Sequence, residues 1–194
     1  MESDGLQVIT EEELYYLFRN NLDIAYPEIA DHVASFIVRF ASTENLRLLF
    51  DKNSPSEKFD KIWSYQNQVL AFQDFMTMGD GTMWCCAFNL PYVSKKRKSS
   101  LGMDSYARVG KTAYDFAVSV GNKLKGRDVD VGLVSRLGNE FGHIVQQIFD
   151  MRRRIDVSVI SINDDVLKEF SETYYGGRPV SVYKIKERPL LRPV

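Results

Sequence analysis

Long apolar runs are missing from this chain. A membrane span needs about 18 or more consecutive apolar residues, and the longest candidates, Phe36-Ile37-Val38 and Val157-Ser158-Val159-Ile160, fall far short. No membrane partner is expected. Cysteine is scarce: only Cys85 and Cys86 occur, side by side. Adjacent residues do not easily reach disulfide geometry, so neither a disulfide scaffold nor a structural zinc site is expected within one chain. Reduced thiols suit an intracellular setting. Glycine and proline are modest, 12 and 6 of 194 residues, beside 44% hydrophobic and 26% charged residues. That excludes a disordered or collagen-like chain. Met1–Thr10 carries Glu2 and Asp4 without an apolar stretch and is not read as a secretory signal.

Net charge is also lacking, with Lys+Arg 25 against Asp+Glu 26. The total hides an asymmetry. Residues 1–60 hold 12 acids and 5 bases, a net of −7, and residues 61–194 hold 14 acids and 20 bases, a net of +6. Such a split fits an anionic partner or head-to-tail self-association. The plainer reading, two differently charged, solvated faces, accounts for it more readily.

What is present is mostly helical pattern. Thr10 and Glu13 have capping-box spacing, and Leu14, Leu17, Phe18 and Leu22 follow with helical period. Pro27 suits the first turn of a second helix, whose apolar stripe is Ile29, Val33, Phe36, Ile37 and Phe40. A short helical segment is expected over Thr43–Phe50. Ser54-Pro55-Ser56-Glu57 is the clearest start signal and predicts a helix from Pro55 to about Phe75, with Gly79-Asp80-Gly81 as the break. Met83–Leu90 is apolar but too short to assign to strand or helix by period. Pro91–Gly102 reads as a polar, basic loop.

Beyond it, a helix is expected over about Asp104–Leu124, ended by Gly126, and another over Val129–Arg153. The first places Ala107, Gly110, Ala113, Ala117 and Gly121 along one side; the second carries Gly132, Gly138 and Gly142. Glycine costs a helix about 1 kcal/mol relative to alanine, so these two helices are expected to pack closely on each other. Ile155–Ile162 reads as a strand, Asn163 as the cap of a last helix to about Tyr174 before Gly176-Gly177, and Val180–Lys186 as a second strand. Pro189 and Pro193 mark 187–194 as an extended tail. The expected fold is mainly α, a single compact domain over 1–194 of about six or seven helices, with a minor two- or three-stranded β element and an extended C-terminal arm. An acidic helical half spans 1–75 and a glycine-bearing helical half 103–175.

Catalytic patterns find little support. Gly110-Lys111-Thr112 has the end of a phosphate-cradling loop, but Ser105 stands where the loop's first glycine belongs, and Gly110 lies inside a helical pattern. Glu140 and His143 have the i, i+3 spacing of carboxylate-bridged metal bundles. His32, with Glu28 and Asp31, does not repeat that spacing, which removes half of the ligand set. No G-x-S-x-G elbow occurs, and Cys85 and Cys86 sit in an apolar run where they fill core as small hydrophobes. The chain is expected to be no enzyme and to need no cofactor or metal.

Cations make the sharper pattern. Lys95, Lys96, Arg97 and Lys98 lie in the basic loop, Arg108 and Lys111 share a helix face, Arg127 follows that helix, and Arg152 and Arg153 close the next. Such residues contact phosphates without reading bases, and Tyr92, Tyr106, Tyr174, Tyr175 and Tyr183 are available to stack on bases. Cations at helix C-termini also interact favourably with exposed carbonyls in any protein, and Lys95–Lys98 equally fits a nuclear-import tag.

Lys111-Thr112-Ala113-Tyr114-Asp115-Phe116 resembles a short segment in the coat proteins of flexible filamentous plant viruses, across six of the 194 positions. That resemblance implies a helical core with extended terminal arms that packages RNA through cations. The first expectation, motivated by the +6 segment with its clustered cations and by the proline-bearing C-terminal arm, is a non-enzymatic nucleic-acid-binding or assembly protein, with the coat-like character that the resemblance implies. Its partner would be an RNA or DNA backbone, its C-terminal arm would mediate self-association, and its setting would be intracellular, cytoplasmic or nuclear. The alternative is a helical protein-interaction adaptor with no nucleic-acid role, using aromatics near Leu14–Phe18 as anchors.

Overall fold

The computed structural model describes residues 11–41, 55–88, 103–124, 127, 129–155, 157–160 and 182–185. These are mainly helical, in seven helices: α1 (Glu11–Asn21), α2 (Pro27–Ala41), α3 (Pro55–Trp63), α4 (Gln68–Phe88), α5 (Met103–Gly121), α6 (Val131–Asn139) and α7 (Phe141–Arg154). Two four-residue segments, β1 (Val157–Ile160) and β2 (Val182–Ile185), lie antiparallel with Val157 opposite Ile185. Thr10, Ser54 and Gly126, the helix over 43–50, the loop over 91–102, the helix over 163–174 and the tail over 187–194 lie outside the described residues.

Helices α1 and α2 follow their sequence signals. Glu11, Glu12 and Glu13 occupy the first turn of α1, where negative charge complements the helix dipole. Leu14 and Phe18 are buried, as are Ile29, Val33, Phe36, Ile37 and Phe40 along α2.

The expected helix from Pro55 to Phe75 is instead two. Helix α3 stops at Trp63, where the Ser64 hydroxyl donates to the Lys61 carbonyl (2.6 Å). Asn67 then restarts the chain, its Oδ1 accepting from the N–H groups of Val69 (3.0 Å) and Leu70 (3.3 Å). An asparagine in that position satisfies amides that the first helical turn leaves unpaired.

Helix α4 then runs for 21 residues, straight through Gly79-Asp80-Gly81, where a break was expected, and takes in Met83–Phe88. The glycines serve packing here, not a turn. Gly79 lies under the Tyr114 ring of α5, and a Cβ there would come within 2.7 Å of it. Every residue from Met78 to Phe88 is buried. Burial on all sides outweighs the propensity cost of about 1 kcal/mol per glycine.

Helices α4 and α5 form the central antiparallel pair. Gly79 meets Tyr114, Thr82 meets Gly110, and Phe72 meets Gly121. The expected helix over Val129–Arg153 is also divided. Asp130 caps α6 by accepting from the Leu133 N–H (2.8 Å), and Glu140, at φ −95° and ψ 10°, separates α6 from α7. That break leaves Phe141 fully buried against Gly110, so close that any side chain on Gly110 would strike its ring. On α6, Gly138 faces the Tyr114 Cβ. The small-residue seam thus joins α5 to both α6 and α7, while Gly132 and Gly142 are exposed and stand outside it.

Candidate functional site

Helix direction decides which cations can come together. Since α4 and α5 are antiparallel, the N-terminal half of α5 lies beside the C-terminal half of α4. That half of α5 carries Arg108 and Lys111, both exposed. Helix α7 begins at Phe141 beside Gly110 and ends with Arg152 donating from Nη1 to the Phe88 carbonyl (2.9 Å). Arg153, exposed, stands over the Phe149 ring at 5.9 Å. The end of α4, the start of α5 and the end of α7 therefore share one end of the bundle. Lys95, Lys96, Arg97 and Lys98 lie outside the described residues, but Lys95 is seven residues after Phe88, a reach of at most about 25 Å. Arg127 is exposed beyond the opposite end of α5.

The arginines closing α7 are divided in their work. Arg152 caps the last residue of α4 and lies 5.7 Å from the Phe88 ring centroid. Arg154 donates to the Asn21 carbonyl at the end of α1 (2.7 Å). Three helix C-termini, each the negative end of a helix dipole, thus meet at one arginine run. Arg153 alone of the three is directed elsewhere.

A second constellation escaped the sequence reading. Asp80, at 0% exposure in the middle of α4, receives hydrogen bonds from three side chains. Its Oδ1 accepts from the Tyr114 hydroxyl of α5 (2.8 Å) and lies 2.8 Å from His32 Nε2 of α2. Its Oδ2 accepts from Arg39 Nη2 (2.5 Å), also on α2. His32 and Arg39 are seven residues apart, two helical turns, and so share a face. Burial alone would push the Asp80 carboxyl up; His32, Arg39 and the Tyr114 hydroxyl outweigh it and hold it below the ordinary 3.8. Burial and the Asp80 carboxylate push the Tyr114 phenol well above 10, which keeps it a neutral donor. The available signal was one carboxylate, Asp80, inside the apolar run Phe75–Phe88.

The enzyme-like patterns do not assemble. Gly110-Lys111-Thr112 lies inside α5, with Gly110 filled against Phe141, so its backbone amides are committed to the helix and cradle no phosphate. Among the described residues no three His, Cys, Asp or Glu side chains group as metal ligands. Burial pushes the Cys86 thiol up to about 12 and the Cys85 thiol higher still, which keeps both unreactive. Among the described residues no helix is long and apolar enough to cross a membrane. No family model, curated protein or solved structure matches the chain.

Proposed function

We propose that the protein is a non-enzymatic nucleic-acid-binding or assembly subunit that holds a phosphate backbone against one end of its helical bundle. The observation that carries this reading is the shared end itself. Arg153 is exposed at the end where α4 and α7 finish and from which the chain runs on toward Lys95–Lys98. Exposed Arg108 and Lys111 lie along the N-terminal half of α5, Lys111 next to the Gly110–Thr82 contact. Cations gathered in this way neutralise phosphates and release counterions without reading sequence. Arg152 belongs to the same patch, although part of its guanidinium holds α4; Arg127 does not. The minor β element, the extended arm over 187–194 that would reach a neighbouring copy, and an intracellular setting belong to this proposal.

The test is retention of a single-stranded oligonucleotide across a salt series. Wild-type protein is expected to lose affinity linearly on a log–log scale as salt rises. Replacing Lys95–Lys98 together with Arg108 and Lys111 by alanine should flatten that slope. Retention unaffected by salt, or absent at every salt concentration, overturns the reading.

The adaptor reading keeps one specific support. Exposed aromatics near Leu14–Phe18 were expected as its anchors, and Tyr16 of α1 is 53% exposed, with Tyr26, just before α2, 43% exposed. A defined protein complex that survives nuclease, with Tyr16→Ala dissolving it, would favour this reading over the first.

A further inference from the structure

We propose that the His32–Asp80 contact is a proton-operated tie, which draws α2 onto the α4–α5 pair when His32 is protonated and loosens α2 ahead of the rest of the bundle when it is neutral. The geometry places the two states unequally. Asp80 is fully buried, and its carboxylate is the one point at which α2, α4 and α5 are joined by polar side chains among the described residues. With His32 protonated, the contact is a charged pair across 2.8 Å; with it neutral, a hydrogen bond alone remains. The ring keeps access to solvent protons, since 22% of its side chain is exposed.

Among the described residues, the charged groups around His32 are few. From α4 comes Asp80, and from α5 the neutral Tyr114. On α2 itself, Arg39 opposes a second positive charge, but it binds the other carboxylate oxygen and is 42% exposed. Glu28 and Asp31 flank His32 in sequence and are engaged elsewhere. Glu28 pairs with Arg136 of α6 (2.6 Å), and Asp31 pairs with Arg19 and Tyr15 of α1. Burial disfavours the imidazolium, and Asp80 outweighs that burial, so the balance lies above the ordinary 6.5. A raised folded-state value means the stabilisation is complete below 6.5 and is lost as pH rises through the folded-state value. The ion pairs that join α2 to α1, to α6 and, through Arg39, to Asp80 of α4 persist throughout.

The test follows the His32 ring by NMR in the full chain from about pH 5 to pH 9, the range in which imidazoles titrate. Amide exchange of Val33–Phe40 is measured over the same range relative to that of α5, after correction for the chemical exchange rate. His32→Gln retains a donor without a titratable ring. The expected result is a ring midpoint above that of free imidazole, and a severalfold acceleration of α2 exchange across it that the variant lacks. A midpoint at or below that of free imidazole, or the same acceleration in the variant, overturns the proposal. Should the variant fail to fold, the wild-type midpoint and exchange profile decide alone.

Discussion

Asp80 shows how much one side chain can require of its surroundings. A carboxylate out of water is tolerable only when its lone pairs are filled and its charge is paired, and here Tyr114, His32 and Arg39 do both. Asp80→Asn keeps the shape and removes the charge. Breaking such a buried pair is expected to cost about 3 kcal/mol in a urea melt, the low end of the range because Arg39 is partly exposed. Tyr114→Phe removes one of three donors and should cost about 1 kcal/mol. Acid should act through the same residue. A depressed carboxyl stabilises the fold above its unfolded value near 3.8 and ceases to do so as pH falls through its folded value. The acid limb of the stability curve should therefore shrink in Asp80→Asn. None of this is written locally. Between two glycines, Asp80 has the sequence signature of a turn, and its partners lie 48 and 41 residues before it and 34 after it.

At the scale of elements, the apolar periods of α1, α2 and α5 were legible because each buries one stripe. The breaks were not. Nothing in Ser64–Asn67 distinguishes a polar helix face from an end plus a new cap until Asn67 is seen accepting from two amides. At Glu140 the apolar period continues across the junction, and the break is seen only in the structure, where Phe141 seats in the slot at Gly110. Glycine substitutions should separate these roles. Gly110→Ala puts a methyl group into the Phe141 ring and is expected to destabilise by about 1–3 kcal/mol. Gly142→Ala, with no neighbouring atom in its way, is expected to stabilise by about 0.5 kcal/mol, a modest gain because it stands in the first turn of α7. Thermal melts of the two variants run side by side give opposite signs if the seam is correctly placed.

At the scale of the whole fold, the described residues set α1 and α2 against a glycine-lined core, and Arg152, Arg153 and Arg154 lie where α1, α4 and α7 finish. The charge split between 1–60 and 61–194 was visible in composition, but the placing of Arg108 and Lys111 on the half of α5 that lies beside the C-terminal half of α4 depends on the antiparallel course of the two helices, which no local pattern encodes. At this scale the expectation concerns salt. If the basic end holds phosphates, Arg153→Ala should reduce the slope of log affinity against log salt by about one phosphate contact, with no change in melting temperature.

The two neighbours of Arg153 give that experiment its shape. Arg152 and Arg154 are rivets on the carbonyls of Phe88 and Asn21, so a blanket neutralisation of the arginine run would unfasten α4 and α1 together. Weakened oligonucleotide retention in such a triple variant would report a disturbed scaffold, not a lost ligand contact. Mutational mapping of this end has to proceed one guanidinium at a time, beginning with the outward one.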